Sequence, residues 1–210
     1  MKKNRNVILG IIGIIIIAGV GTWYYLYWKN HNYFTTENSK VAADLYSVAA
    51  SANGKLTKLN VSEGTSVKTN EVVARVENGP YVRSPINGEV VKCDVVENQT
   101  LAATSIIAVI ADTENVYVNA NIEETDISKI KVGQSVTVKL DAYPGRKFNA
   151  HVDRIDSVTQ TALTGSATSY STSGTYTKVT QLIPVKIVID EDVDLSGIIG
   201  TNANVSIKLR

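Results

Sequence analysis

The chain has 210 residues, with 21 lysines and arginines against 20 aspartates and glutamates, so its formal net charge is +1. A chain of this length forms one or two small domains. The near-zero charge gives no sign of a nucleic-acid-binding surface, and we expect no nucleic acid as a partner. The single cysteine, Cys93, excludes an internal disulfide.

The first predicted element is an apolar helix. Residues 7–28 carry no charged side chain, and a helix of that length spans roughly 33 Å, enough to cross the bilayer core. Lys2, Lys3 and Arg5 precede it, which favours a cytoplasmic N-terminus and an extracytoplasmic remainder. We therefore predict a single-pass anchor in the cell membrane, with lipid around residues 7–28. A cleaved signal peptide is the alternative.

Aromatic residues gather at the distal end of this segment. Amphipathic rings favour the headgroup region of a membrane. We therefore predict that the ring cluster lies at the membrane surface. Its members are Trp23, Tyr24, Tyr25, Tyr27 and Trp28.

Two later segments repeat each other, because residues 53–77 align without gaps on residues 87–111. Apolar and polar positions alternate in both copies, a period typical of half-buried strands. Neither copy can enclose a core alone, so we predict that the two close one core about a pseudo-twofold axis. The identical pairs are Asn53 and Asn87, Gly54 and Gly88, Lys58 and Lys92, Val61 and Val95, Glu63 and Glu97, and Ala74 and Ala108.

Glycines mark the predicted turns of this repeat. Gly54, Gly64 and Gly88 follow polar residues at the ends of apolar stretches. Gly79 and Pro80 lie between the two copies, where proline fixes its own φ and disfavours the helical region for the preceding glycine. We therefore predict a tight, exposed turn between the copies.

The stretch GKLTKLNVSEGTSVKTNEVVARV resembles one half of a biotinyl/lipoyl domain, whose two halves interlock as a flattened barrel-sandwich hybrid. Carrier domains of that kind place a modified lysine on the hairpin between the halves. Glu77 occupies that position here, and a carboxylate cannot form the amide that attaches biotin or lipoate. The resemblance implies the fold without the carrier role, and no cofactor is expected.

The order of segments resembles the membrane fusion proteins, or periplasmic adaptors, of efflux pumps (HlyD/EmrA type). In that family a membrane helix precedes two half-motifs and a β-barrel. Residues 116–155 look like the barrel segment, and residues 174–190 are similar to the closing strands of the EmrA branch. Such adaptors insert a long coiled-coil hairpin between the halves, which reaches toward an outer-membrane channel. Only a few residues join the halves here, so we expect a short form without a channel partner.

The predicted fold is mainly β. An N-terminus and anchor (1–33) and a linker with one strand (34–49) precede a lipoyl-like domain (50–112) and an antiparallel β-barrel (113–210). The single strand is expected at Ser39 to Ser47. Pro184 suggests the start of a strand or an edge, and Ile127 with Ile130 suits a helical turn that plugs the barrel.

A Ser/Thr-rich stretch, residues 159–178, interrupts the barrel pattern. Long loops in compact domains are often functional. Either this segment is a mobile surface loop without a partner, or it contacts a transporter. The candidate contact residues are Thr164, Ser169, Tyr170 and Tyr176.

We find no arrangement of residues that indicates catalysis. His31, His151 and Cys93 lack the spacing of metal ligands, and Cys93 aligns with Leu59 as a small apolar residue. The acidic run from Asp190 to Asp194 lacks the glycine and distal glutamate of a calcium-binding EF-hand loop, so we interpret it as a solvated turn. The protein is not expected to be an enzyme or to hold a metal.

The resemblance implies an adaptor subunit of an efflux system that binds a polytopic membrane transporter. The EmrA-like tail favours a major-facilitator transporter, with an ABC transporter as second choice, and family members form homo-oligomers. The alternative is a membrane-tethered extracellular binding or sensory domain without a transporter.

Overall fold

The structure is a computed structural model, which describes residues 2–77, 79–163, 180–191 and 193–209. Within its first helix, side chains are described for residues 13–25, 27, 28, 31 and 32. The predicted mainly β fold is confirmed, with two β domains after one N-terminal helix.

Helix α1 covers Lys2–Asn32 and continues directly into the first strand. Within the described part of the chain, no helix combines the length and hydropathy needed to cross a membrane. Part of the predicted anchor, residues 7–12 and Leu26, lies outside the described side chains. The Asn32 side chain donates a hydrogen bond to the Trp28 carbonyl at 2.8 Å, within the last turn of the helix.

The sandwich domain, residues 45–111, consists of two four-stranded sheets that follow the repeat. One sheet has the order β2-β9-β7-β4 and the other β6-β5-β3-β8. Residue numbers that differ by 34 fall on equivalent strands, and each sheet takes one of its two outer strands, β4 or β8, from the opposite half. The strands are β2 (Leu45–Ala49), β3 (Gly54–Leu59), β4 (Ser66–Val67), β5 (Val72–Val76), β6 (Tyr81–Arg83), β7 (Gly88–Lys92), β8 (Thr100–Leu101) and β9 (Ile106–Ala111).

The core of the sandwich domain is built from equivalent pairs. Branched apolar residues suit the pleated inner face of such sheets, and removing them from water is the main force that closes the domain. Each pair contributes one buried side chain from each half. The pairs include Leu56 and Val90, Val73 and Ile107, Ala74 and Ala108, Val76 and Ile110, Val67 and Leu101, and Val61 and Val95.

Polar contacts cross between the halves in the same reciprocal manner. The Glu97 carboxylate accepts a hydrogen bond from the Leu59 amide at 2.9 Å, and Glu63 accepts one from the Cys93 amide at 3.1 Å. The Asn87 side-chain oxygen accepts from the Thr69 amide, as Asn53 does from Ala103. Two of the residue pairs that are identical in the two copies, Asn53 with Asn87 and Glu63 with Glu97, therefore bind the other half.

Gly54 and Gly88 stand where the backbone of another strand approaches closely. A Cβ on Gly54 would collide with the Glu77 carbonyl oxygen, and one on Gly88 with the Ala111 carbonyl oxygen. Among the glycines predicted at turns of the repeat, Gly64 has a positive φ of 81°, a conformation that favours glycine. Its equivalent in the second copy, Asn98, has a φ of 71°.

Six strands of the described chain close the barrel in the order β1-β10-β13-β12-β11-β14. Inward side chains such as Val138, Phe148 and Val205 are fully buried, with polar neighbours outside. A 3₁₀ turn, Ile127–Lys129, places Ile130 in the core. The strands are β1 (Tyr33–Ala42), β10 (Tyr117–Glu123), β11 (Ser135–Leu140), β12 (Phe148–Ile155), β13 (Leu182–Ile189) and β14 (Asn202–Lys208).

One local prediction about the strands is wrong, and one holds in only one of its two alternatives. Ser39 to Ser47 is not one strand: β1 ends at Ala42 in the barrel, and β2 starts at Leu45 in the sandwich domain, because the chain crosses between the domains there. Pro184 is the third residue of β13, near the start of the strand as one predicted alternative had it; the other alternative, an edge, is excluded because β13 is paired on both sides. Its carbonyl still accepts a hydrogen bond from the Asp156 amide at 3.0 Å.

The segment between β1 and β2, where the chain passes from the barrel to the sandwich domain, is bonded to the barrel through Asp44 and Tyr117. The Tyr117 hydroxyl donates to the Asp44 carboxylate at 3.1 Å, and the Asp44 carbonyl accepts from the Asp112 amide at 2.9 Å. The Lys186 ammonium lies 4.1 Å from the centre of the Tyr117 ring, a cation–π contact. Burial of the phenol, followed by the charge of Asp44, raises the pKa of Tyr117 to about 12.

We expect Gly88→Ala and Gly54→Ala each to lower the free energy of unfolding by about 2 kcal/mol, because the added methyl must displace a backbone carbonyl. Gly197→Ala is the matched control, since nothing lies within 4 Å of its Cβ position. Urea unfolding measures the three variants. Equal stability of Gly88→Ala and Gly197→Ala would show that the close approach does not constrain position 88.

We also expect the Tyr117 contact to stabilise the fold in a pH-dependent way. The folded pKa of about 12 exceeds the value of about 10 for an unfolded tyrosine. The contribution is therefore fully present below about pH 10 and is lost as the pH rises through about 12. The difference in unfolding midpoint between the wild type and Tyr117→Phe should shrink over that range. Tyr46→Phe, which removes an exposed hydroxyl from β2, should show no such trend.

Candidate functional site

The joint between the halves is the first candidate surface. Strand β5 ends at Val76 and β6 begins at Tyr81, so four residues connect them, and Asn78 among these lies outside the described residues. Glu77 is exposed at the position of the carrier lysine, and the Gly79 amide donates to the Val76 carbonyl at 3.2 Å. The joint thus presents a carboxylate where a carrier domain needs an amine.

An aromatic and cationic cluster lies beside the joint. The register pairs Arg75 with Tyr81 across β5 and β6. The Arg75 and Arg83 guanidinium carbons lie 5.2 and 5.8 Å from the centre of the Tyr81 ring. Arg83 also donates to the Asn70 carbonyl at 2.7 Å, which fixes its position. Tyrosine and arginine are enriched at the energetic centres of protein interfaces, so this cluster is suited to binding a protein.

The barrel carries a second candidate surface, where it meets the end of α1. A pocket of about 610 Å³ lies between the aromatic rings of Tyr25, Trp28 and Tyr33 and the outer face of the barrel. Lys139 and Lys147 line the barrel side. Two ammonium groups on one side of a pocket favour an anionic ligand over a cationic one.

The predicted aromatic cluster of α1 is exposed in all five members. Trp23 stacks on Tyr27 with ring centres 5.8 Å apart, and Tyr27 stacks on His31 at 5.9 Å. Trp28 meets Tyr33 edge to face at 6.1 Å. The remaining two rings, Tyr24 and Tyr25, are 64% and 61% exposed.

The predicted partner-contact residues Thr164, Ser169, Tyr170 and Tyr176 lie outside the described residues. A short helix, α2 (Gln160–Leu163), precedes them, and the next residue that the structure describes is residue 180.

The acidic run near the end of β13 forms separate contacts. Asp190 pairs with His151 at 2.5 Å, while Glu191 accepts from the Asn149 amide at 3.1 Å. The Ser196 hydroxyl and amide donate to Asp194, which lowers the pKa of that carboxyl. Among the described residues, no group of three or more histidines, cysteines or carboxylates could hold a metal. Cys93 is half-buried and packs against the sandwich core.

Sequence reasoning missed both candidate surfaces. The predicted hairpin could have indicated the first surface, because it places strands β5 and β6 side by side. Arg75, Tyr81 and Arg83 lie on those two strands. Lys139 occupies an outward position of a predicted barrel strand, but its distance from α1 depends on barrel closure. No local pattern in the sequence contains that information.

Both domains match known families. Residues 44–112 match the barrel-sandwich hybrid domain of YhbJ, and residues 116–207 match the YknX-like β-barrel domain. Together these matches span well over half of the chain.

Curated relatives agree with this assignment. The chain is 38% identical over 210 residues to YhbJ of Bacillus subtilis strain 168, a candidate efflux system component, covering 99% of this chain and 94% of that protein. It is 31% identical over 109 residues to the colistin resistance protein EmrA of Acinetobacter baumannii, covering 52% of this chain and 31% of EmrA.

The fold is also found in solved structures. A chimera of MacA and MexA, which contains the α-hairpin domain of MexA from Pseudomonas aeruginosa, superposes with a TM-score of 0.69 at 20% identity. The match covers 85% of this chain and 82% of the chimera. The chain therefore belongs to the membrane fusion proteins, the adaptor family of efflux systems, as a short form whose sandwich halves are joined without a coiled-coil hairpin.

Proposed function

We propose that the protein is a non-catalytic adaptor of an export system, bound to a polytopic transporter in the cell membrane. The observation that carries this proposal is the match over nearly the whole chain to a candidate efflux component. Shorter matches to EmrA of Acinetobacter baumannii and to the multidrug resistance protein MdtN of Escherichia coli support it. A major-facilitator transporter is the favoured partner, because the barrel sequence resembles the EmrA branch, and an ABC transporter is the second choice.

The short joint supports an adaptor that works at one membrane. Four residues between β5 and β6 leave no reach toward a distant channel, so no outer-membrane channel is proposed as a partner. The transporter-facing surface is then assigned to α1 and the barrel, and the Ser/Thr-rich stretch, residues 159–178, is included as a candidate contact. Homo-oligomerisation belongs to the same proposal.

Membrane attachment by α1 completes the proposal, with the N-terminus in the cytoplasm and both β domains outside. The uncharged run of residues 7–28 supports it. Apolar side chains on successive positions of the helix are exposed, at 68% for Ile14, 59% for Ile16 and 73% for Ile17. Leaving such surface in water costs about 25 cal/mol per Å², and a bilayer would remove that cost.

The test is capture of the transporter by the tagged full-length protein from its own membranes in mild detergent. We expect mass spectrometry to identify a polytopic transporter. Deleting the gene for the adaptor should reduce export by that transporter. Replacing Gly79 and Pro80 with Ser-Gly, which leaves Tyr81 in place, should leave capture intact, because the transporter-facing surface is assigned to α1 and the barrel.

A matched variant replaces residues 2–28 with an unrelated membrane-spanning helix of equal length, which retains attachment but removes the native surface of α1. We expect it to lose most of the captured transporter. Recovery of no transporter by the wild type would support the alternative of a tethered binding or sensory domain. Loss of capture only in the joint variant would place the docking surface at the opposite end of the molecule.

A further inference from the structure

The pocket between α1 and the barrel contains groups that no assigned role explains. It is lined on one side by Tyr25, Trp28 and Tyr33, and on the other by Lys139 and Lys147. Both lysines are exposed, and neither is engaged in an ion pair with a described residue. An anionic ligand could therefore contact both without displacing an existing carboxylate.

The barrel register places a polar floor beneath these lysines. Thr35 on β1 and Thr137 on β11 both face Ser206 on β14, so three hydroxyls form a row across neighbouring strands. The Thr35 and Ser206 hydroxyls are 3.3 Å apart. The next outward position of β11 is Lys139, which faces Asn204. Hydroxyl and amide donors beside ammonium groups suit the oxygens of a phosphate.

One carboxylate also lines the pocket. Glu37 lies on β1, so two ammonium groups and one carboxylate face the space. The pocket keeps a net positive charge, which favours a monoanionic phosphodiester over a neutral or cationic ligand.

The aromatic wall distinguishes a lipid from a soluble phosphate. Tyr25 and Trp28 belong to the ring cluster of α1, and rings of this kind favour the headgroup zone of a bilayer. The helix end is fixed against the barrel, because the Leu209 amide donates to the Asn32 carbonyl at 2.8 Å and Trp28 meets Tyr33 edge to face. If α1 is the anchor, the pocket opens at headgroup depth.

We propose that this pocket binds the phosphate headgroup of an anionic phospholipid, with Lys139 and Lys147 as the charged contacts. The inference rests on the proposed membrane attachment of α1. Lipid binding in this pocket would hold the barrel in a fixed orientation on the bilayer. That orientation would be the one in which the adaptor contacts its transporter. Each lysine near a membrane surface favours anionic over neutral lipid by roughly fivefold.

The experiment uses fluorescence quenching by lipid, because Trp23 and Trp28 are the two tryptophans of the chain. The full-length Trp23→Phe protein leaves Trp28 as the reporter beside the pocket. It is reconstituted in phosphatidylcholine vesicles that contain either brominated phosphatidylglycerol or brominated phosphatidylcholine. We expect quenching of Trp28 to show that phosphatidylglycerol is preferred over phosphatidylcholine at this site by about fivefold or more.

Two matched charge variants decide the assignment. Both double variants are made in the Trp23→Phe protein. Lys139→Gln with Lys147→Gln should abolish the preference for phosphatidylglycerol. Lys55→Gln with Lys58→Gln should retain it, because those exposed lysines lie on β3 of the sandwich domain. An unchanged preference in the first pair overturns the proposal. A loss in both pairs also overturns it, because bulk charge would then explain the effect.

Two further outcomes separate the proposal from its alternatives. If inorganic phosphate changes the Trp28 fluorescence while neither lipid is preferred over the other, the pocket binds soluble phosphate and the lipid assignment is wrong. If neither brominated lipid quenches Trp28, the membrane attachment of α1 fails and the pocket assignment fails with it. Quenching without any preference overturns the pocket alone and leaves the anchor standing.

Discussion

The Leu59 amide donates to Glu97 of the opposite half, and the Cys93 amide donates to Glu63, so each half of the sandwich domain completes the other. The same exchange occurs in the backbone, where the Gly64 amide donates to Val90 and the Asn98 amide to Leu56, both at 2.8 Å. Neither half has its own outer strand or a closed core. The domain can therefore exist only when both copies are present and in register, which explains why the motif is repeated.

This exchange also determines what can vary. The joint lies outside the contacts that close the core, so a chain can connect the halves with a long hairpin or with a few residues without changing the sandwich. Here the connection is minimal. The crossing at Asp44 and Tyr117 then joins the sandwich domain to the barrel, and Asn32 and Leu209 join the barrel to α1. A continuous series of contacts thus links the helix to the distal joint, as a subunit that acts by holding and positioning would require.

Sequence patterns predicted the mainly β class and the two-part core because inward residues repeat with period two and the copies share identical residues. The role of Gly88 was not predictable in detail, since its constraint comes from the Ala111 carbonyl across the sheet rather than from its own turn. The break at residues 43 and 44 was missed because alternation continues on both sides of a domain crossing. The pocket at Lys139 and Lys147 depends on barrel closure, which brings together residues that are far apart in sequence.

Hydrogen exchange at the Leu59 and Cys93 amides tests the reciprocal closure most directly. Each amide is held by a carboxylate from the other half, so Glu97→Ala should speed exchange at Leu59, and Glu63→Ala should speed exchange at Cys93. Glu77→Ala, at the exposed joint, serves as the matched control and should alter neither. Faster exchange only within the mutated half, or unchanged exchange at both amides, would contradict the account in which two equivalent halves close one domain.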